Sequence, residues 1–170
     1  MIGEGAGIGP TLFLAEQMRA APSASADAGP TAAPAGTPST DVALAASAGL
    51  SAAWSPLVLL GSDTPFPFRP RPSVIVVPGI PTGVIACMPL LEEWGIASRL
   101  ASTADLPGCF EGSVTDLAGA WLNSLSPADL AEVEILSCGP PPMLESAAAL
   151  ARRYNVPHQT SSPDVPTARN

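Results

Sequence analysis

The sequence predicts an α/β fold, in which a doubly wound, mostly parallel sheet of about five strands carries helices on both faces. Short apolar runs bounded by proline or glycine, such as residues 57–60, are typical of strands that are buried on both faces. These runs alternate with segments of helical periodicity, as in βαβ units. A glycine-rich stretch at residues 3–10 leads directly into the first helix, which is typical of nucleotide-binding α/β domains.

The first 53 residues divide into two parts. Residues 1–20 are expected to contain the glycine loop and a helix from Thr11 to about residue 20, with the first strand reduced to Met1 and Ile2. Residues 21–53 consist largely of Ala, Pro, Ser, Gly and Thr, which predicts a flexible low-complexity insertion. Its last third, residues 42–53, has the alanine content of a frayed helix.

Residues 54–161 are expected to supply the rest of the domain, and residues 162–170 a disordered tail. The predicted strands share apolar, β-branched sequences and lie at 57–61, 73–77, 96–102, 133–137 and, at an edge, 156–160. The predicted helices share a 3.6-residue periodicity and lie at 84–94, 113–125 and 142–154. Pro89 is expected to kink the first of these helices, Ser113 and Asp116 to cap the second, and Ser126 to start a short helical turn.

Composition excludes several classes of function. The 170 residues carry a net charge of −8 and contain no lysine, so neither a basic surface for nucleic acid nor a P-loop or Schiff-base lysine is available. There is no apolar run long enough for a membrane span and no pattern of a signal peptide. We therefore expect a cytoplasmic protein that binds neither nucleic acid nor membrane.

The chain offers few residues for side-chain catalysis or metal binding. Cys87, Cys109 and Cys138 are too scattered for a zinc site or a disulfide framework, and the default interpretation is buried thiols. A Ser-His-Asp triad would have to use His158, on a predicted edge strand, and the G-x-S-x-G elbow of α/β hydrolases is absent. No catalytic residue and no metal ligand is predicted. Glu92 and Glu93 lie at adjacent helix positions and are expected to form a solvated face.

The glycine stretch is the first candidate site. It does not match G-x-G-x-x-G, but Gly3, Gly5, Gly7 and Gly9 keep side chains away, so that backbone amides can approach an anion. Pro10 suits the first turn of a helix. The alternative interpretation is a tight turn without a ligand.

The second candidate site is the run from Cys138 through Gly139 and Pro140 to Met143, which follows a predicted strand. Ligands of open parallel sheets bind beyond the carboxyl ends of the strands, where the strand order reverses. Gly139 would let a flat ring approach the backbone. Cys138 either touches that ring or is a small buried side chain.

A proline-rich segment at residues 64–72 leaves two interpretations open. Phe66, Phe68, Arg69 and Arg71 form either a loop that docks a partner or an irregular surface loop with its aromatic rings tucked beneath it. The second is favoured, because prolines exclude regular structure here.

Three motifs in order resemble the pyridine-nucleotide domain of the ferredoxin-NADP reductase superfamily, and most of all the electron transfer subunit of dihydroorotate dehydrogenase. The first motif contributes Gly5, Gly7, Ile8 and Pro10, and the last contributes Cys138, Gly139, Pro140, Pro142 and Met143. Between them lie Glu111, Gly112, Val114, Thr115 and Asp116. The resemblance extends over everything except the insertion and the tail.

The resemblance implies a ferredoxin reductase-like NAD-binding domain in a reductase that takes hydride from NADH onto flavin and passes electrons to an iron–sulfur cluster, in a protein of pyrimidine biosynthesis. By carry-over, the loop of Gly5, Gly7, Ile8, Gly9, Pro10 and Thr11 would lie at the pyrophosphate, and Cys138, Gly139, Pro140 and Met143 would border the nicotinamide. Asp63, just past a strand, is the candidate for the adenosine ribose, where a carboxylate favours NAD over NADP. A flavoprotein or dehydrogenase subunit is the implied partner.

The sequence also departs from that family. No flavin-binding barrel precedes the glycine loop, and no cysteine follows Cys138 to hold a [2Fe–2S] centre, so neither FAD nor the cluster is expected on this chain alone. The alternative hypothesis is therefore a truncated, non-catalytic remnant or a module that depends on a partner. A sheet with a reduced first strand would also expose an unpaired edge.

Overall fold

A computed structural model describes residues 1–20 and 55–161 of the chain. Their main feature is a six-stranded parallel sheet with the strand order β6-β5-β2-β1-β7-β8. Its strands are β1 (Ile2–Glu4), β2 (Leu57–Ser62), β5 (Ala97–Ser102), β6 (Phe110–Glu111), β7 (Ile135–Cys138) and β8 (His158–Ser161). The fold is thus the predicted α/β class, with six strands rather than five.

Five helices and one small antiparallel pair of strands complete the described structure. The pair is formed by β3 (Arg71–Pro72) and β4 (Ala86–Cys87). The helices are α1 (Ile8–Ala20), α2 (Pro89–Glu93), α3 (Val114–Leu122), α4 (Pro127–Ala131) and α5 (Pro141–Tyr154). In the part of the chain that the structure describes, no helix is both long and apolar enough to cross a membrane.

The sheet is doubly wound about β1. From β1 the chain adds β2, β5 and β6 on one side, and then crosses over to add β7 and β8 on the other. Helices α1 and α2 cover one face, where Val58 and Leu60 are fully buried, and α3 and α5 cover the other, where Leu59 is buried. The apolar run of β2 is therefore continuous because both of its faces contact a core.

The first strand is longer and more central than predicted. Gly3 and Glu4 belong to β1, which pairs with β2 on one side and β7 on the other, so the predicted unpaired edge at this strand is wrong. Helix α1 also begins three residues earlier than predicted, at Ile8. The sequence did not indicate the full length of β1 or the early start of α1, because glycine has low propensity for strands and helices alike.

The predicted buried strand at 73–77 is also wrong. Val74 and Val76 are 87% and 85% exposed, and no strand forms there. The Glu92 carboxylate accepts hydrogen bonds from the amides of Val74 (2.6 Å) and Ile75 (3.3 Å) and from the Ser73 hydroxyl (2.9 Å). The Glu92 carboxylate thus accepts the backbone hydrogen bonds that a neighbouring strand would otherwise accept. The predicted solvated face is wrong for Glu92, which is half-buried and bonded to this segment, and is confirmed for Glu93, which is exposed.

The predicted helix at 84–94 is only half present. Residues Ala86 and Cys87 form β4, and helix α2 begins at Pro89. Proline has no amide hydrogen and fits the first turn of a helix, so Pro89 starts a helix here rather than kinking one. The amides of Ile85 and Ala86 donate to the Gly108 carbonyl, which keeps this segment extended.

The local helix signals are confirmed. Ser113 and Asp116 form a reciprocal capping box on α3, and Ser126 and Asp129 form another on α4. Phe66 is buried in the core beside α1 and α2, with its ring centroid 5.1 Å from that of Phe68, which agrees with the interpretation of tucked aromatic rings. The predicted insertion at 21–53 and the predicted tail at 162–170 lie outside the described residues.

Candidate functional site at the switch point

The glycine stretch forms the connection between β1 and α1. Strand β1 ends at Glu4, a 3₁₀ turn spans Gly5–Gly7, and α1 follows without a break. Gly5 has φ +55, and no atom lies within 4 Å of the position where a Cβ would stand. The first helical hydrogen bond runs from the Ile8 amide to the Gly5 carbonyl, so the preceding amides lack helical partners.

The start of α1 packs directly on the end of β7. A Cβ on Gly7 would overlap the carbonyl of Cys138 and approach the Gly139 amide nitrogen to 2.7 Å. The buried Thr11 hydroxyl donates to the Gly7 carbonyl at 2.8 Å, which fixes the turn from the helix side. The two glycine-containing motifs are therefore in backbone contact at the point where the winding of the sheet reverses.

A cavity of about 300 Å³ opens at this switch point. It lies beyond the carboxyl ends of β1 and β2 and reaches the residue that precedes α5. The residues that line it are Glu4, Gly5, Ala6, Ser62, Asp63, Thr64 and Pro140. A larger cavity of about 630 Å³ lies at the amino ends of the strands, but a crevice at the carboxyl ends has the position that ligands take in such sheets.

The switch-point cavity is acidic. Two carboxylates, Glu4 and Asp63, line it, and no arginine is among its lining residues. Desolvation and the nearby Asp63 charge raise the pKa of Glu4 above its ordinary value. Any anionic group that binds here must therefore be held by backbone amides and the start of a helix rather than by a cation.

Hydroxyl groups hold the end of β2 in place. The Ser102 hydroxyl donates to the Ser62 carbonyl at 2.8 Å, and the Thr103 hydroxyl donates to Asp63 Oδ1 at 3.3 Å. The Thr64 amide donates to the Ser62 hydroxyl at 3.3 Å. Asp63 is thereby positioned at the rim of the cavity.

Seven of the residues predicted from the sequence lie in or near the cavity or on the surface of α1. Gly5, Asp63 and Pro140 line the cavity. Gly7 and Gly139 lie beneath it, where each lets a neighbouring backbone approach closely. Gly9 and Pro10 are exposed on the first turns of α1, outside the residues that line the cavity.

Four predicted residues lie in the interior. Ile8 and Met143 are buried in the two apolar cores on opposite faces of the sheet. Thr11 and Cys138 are buried and line a different cavity, of about 300 Å³, between α1 and the outer strands β7 and β8. Burial raises the pKa of the Cys138 thiol, an effect that a hydrogen bond with Ser161 partly offsets. The part of Cys138 that contacts the glycine turn is its backbone carbonyl.

Sequence reasoning missed Glu4, Ala6, Ser62 and Thr64 as lining residues. In the sequence, the glycines around Glu4 and Ala6 indicate a backbone site and give no signal for the side chains between them. Ser62 and Thr64 flank Asp63, and their hydroxyls were a signal that could have been used, because small polar residues after a buried strand are typical of a ligand-facing edge.

The arrangement defines an open, doubly wound α/β domain with a glycine-lined crevice at its switch point. A stretch of 47 residues is 45% identical to the reductase component of propane 2-monooxygenase from Gordonia sp. (strain TY-5). The match covers 28% of this chain and 12% of that protein. This match suggests the ferredoxin-NADP reductase superfamily, which the three motifs also resemble. It does not show a resemblance to the dihydroorotate dehydrogenase subunit in particular. No family model and no solved structure matches the chain.

Proposed function

We propose that the chain is the pyridine-nucleotide-binding domain of an NADH-dependent, flavin-linked electron transfer reductase. One observation supports this most strongly: the glycine turn after β1 is in backbone contact with the bend after β7, at the only switch point of the described sheet, beside a cavity. Dinucleotides bind at this position in open α/β sheets.

The residues fit the parts of a dinucleotide. The exposed Gly5 and Ala6 would hold the pyrophosphate through their amides, because no Cβ on Gly5 obstructs approach. Asp63 would accept hydrogen bonds from the adenosine ribose. Pro140 would border the nicotinamide, which supplies the hydride when bound. The side chains of this chain bind and orient the ligand, and none is needed as acid or base.

The place of this domain in a reductase is supported by the short match to a monooxygenase reductase component and by the motif resemblance. Within the two described ranges, no group of three or more histidine, cysteine or acidic side chains is placed to hold a metal ion. We propose that this chain binds the nucleotide, and that flavin and the iron–sulfur cluster belong to a partner subunit or a further domain.

Calorimetric titration with NADH and NADPH tests the proposal. We expect saturable binding of NADH and weaker binding of NADPH, whose additional phosphate meets Asp63. Gly5→Ala should weaken NADH binding, because the methyl group would enter the open space beside the cavity. Gly95→Ala is the matched control: it has a similar φ of +72, open space at its Cβ and a position after α2, remote from the cavity.

The outcomes separate the two interpretations of the sequence. Binding of NADH by a protein without flavin or iron–sulfur absorption would establish a nucleotide-binding module that needs a redox partner. Absence of saturable binding of either nucleotide would refute the proposal and favour a non-catalytic remnant. Equal losses in the Gly5 and Gly95 variants would contradict the placement of the site.

A further inference from the structure

The Glu4 side chain lies across the centre of the switch point. The position of a Cβ on Gly61, near the end of β2, is 3.4 Å from the Glu4 Cγ. The position of a Cβ on Gly139, after β7, is 3.4 Å from the Glu4 Cβ. The Glu4 side chain therefore lies between Gly61 on β2 and Gly139 after β7, and Glu4 lines the cavity.

The Glu4 carboxylate has no compensating partner among the described residues. None of the hydrogen bonds or ion pairs between them involves this carboxylate, and the cavity lining contains no cation. Asp63, on the end of β2, is the charged group that faces it. On the β7 side lies the Cys138 thiol, whose pKa is raised by burial.

We propose that Glu4 controls the affinity of the nucleotide crevice: its negative charge opposes the pyrophosphate, so that binding tightens when the carboxylate is protonated. This inference rests on the proposed function. The charge of the NAD⁺ pyrophosphate is constant between pH 5 and 8, so a change of affinity over this range reports on the protein. Like charges disfavour ionisation of Glu4, so a bound anion would drive proton uptake.

The sign of the pH dependence follows from this geometry. Desolvation and Asp63 already raise the pKa of Glu4, and a bound pyrophosphate would raise it further. Because the complex then holds more protons than the free protein, NAD⁺ binding strengthens as the pH falls from 7.5 towards 5. Replacing the Glu4 carboxylate with a neutral group should remove most of the pH dependence of NAD⁺ binding.

The test measures NAD⁺ affinity by calorimetry at several pH values for the wild type, Glu4→Gln and Glu132→Gln. Glutamine preserves the shape of Glu4, and Glu132→Gln removes the same charge from an exposed position before β7, away from the crevice. We expect Glu4→Gln to bind NAD⁺ about tenfold more tightly at pH 7.5, the effect of one close like charge in a partly solvated site. Glu132→Gln should match the wild type.

The outcomes distinguish this inference from the proposed function. If the wild type binds NAD⁺ with an affinity that is flat from pH 5 to 8, or if Glu4→Gln binds no more tightly, the role of Glu4 is refuted while nucleotide binding stands. If no protein binds NAD⁺ at any pH, both are overturned. The wild-type pH profile needs no variant, so a folding defect in Glu4→Gln would not leave the question open.

Discussion

Gly7 is the glycine at which an added methyl group should lower the free energy of unfolding the most. A Cβ there would lie well inside the 3.0 Å that real Cβ atoms keep from other atoms, and the atoms it would meet belong to the backbone of Cys138 and Gly139. Backbone at the end of a central strand cannot rotate away as a side chain can. Overpacking costs about 1–3 kcal/mol, and we expect Gly7→Ala to lose about 3 kcal/mol of unfolding free energy. That loss corresponds to a melting temperature lower by about 10 °C.

Gly9 provides the control two residues further along α1. No atom lies within 4 Å of its Cβ position, so alanine there should stabilise the protein by about 0.5–1 kcal/mol through helix propensity. Urea denaturation, with the midpoint and the slope measured for both variants, gives the comparison. Equal stability of Gly7→Ala and Gly9→Ala would refute the close contact between the glycine turn and the end of β7.

The remaining predictions concern a helix cap and a histidine. Ser113→Ala should cost about 1 kcal/mol in urea denaturation, because the capped helix α3 buries Val114 and Leu117. Ser126→Ala should cost less, because α4 buries no residue, and a reversed order would contradict the packing. Burial, and to a lesser extent Arg152, lower the pKa of His158, whose Nε2 is 2.8 Å from the Ser137 hydroxyl. The stability from neutral His158 is present above pH 6.5 and declines below it, so the melting temperature should fall less from pH 7.5 to 5.5 in His158→Gln than in the wild type.

Elements with local signals could be predicted from the sequence. The capping boxes that start α3 and α4 are fixed by residues three positions apart, and both were visible as Ser-x-x-Asp. The apolar run of β2 marked a strand buried on both faces, and it is one. The parallel α/β class followed from the alternation of such segments, because a crossover connection almost always carries a helix.

Elements that depend on distant partners could not be predicted. The run from Ser73 to Val77 has the residue types of a strand, yet its amides bond to Glu92, a residue nearly twenty positions away that looked like a solvated acid. A single sequence gives no signal for such a contact. Desolvation opposes ionisation of Glu92, but the hydrogen bonds from this segment outweigh it and lower the pKa of its carboxyl.

For the candidate site, the sequence located the two motifs but not the orientation of their side chains. The meeting of the glycine turn with the bend after Cys138 follows from the rule that ligand crevices form at switch points. Whether a given side chain points into the crevice depends on the strand register and on where each strand ends. The motifs do not encode either. Ile8 and Cys138 are directed into the interior, whereas Glu4 is directed into the cavity.

The position of β1 has a consequence for how the protein is made. Strand β1 is synthesised before the other strands of the sheet, yet Ile2 pairs with Ser137, near the other end of the described chain. Contacts between such distant segments form slowly, because a long loop must close before they are gained. The chain between Ile2 and Ser137 must leave the ribosome before this pairing can form, so the crevice is completed only after the intervening strands β2, β5 and β6 have been synthesised.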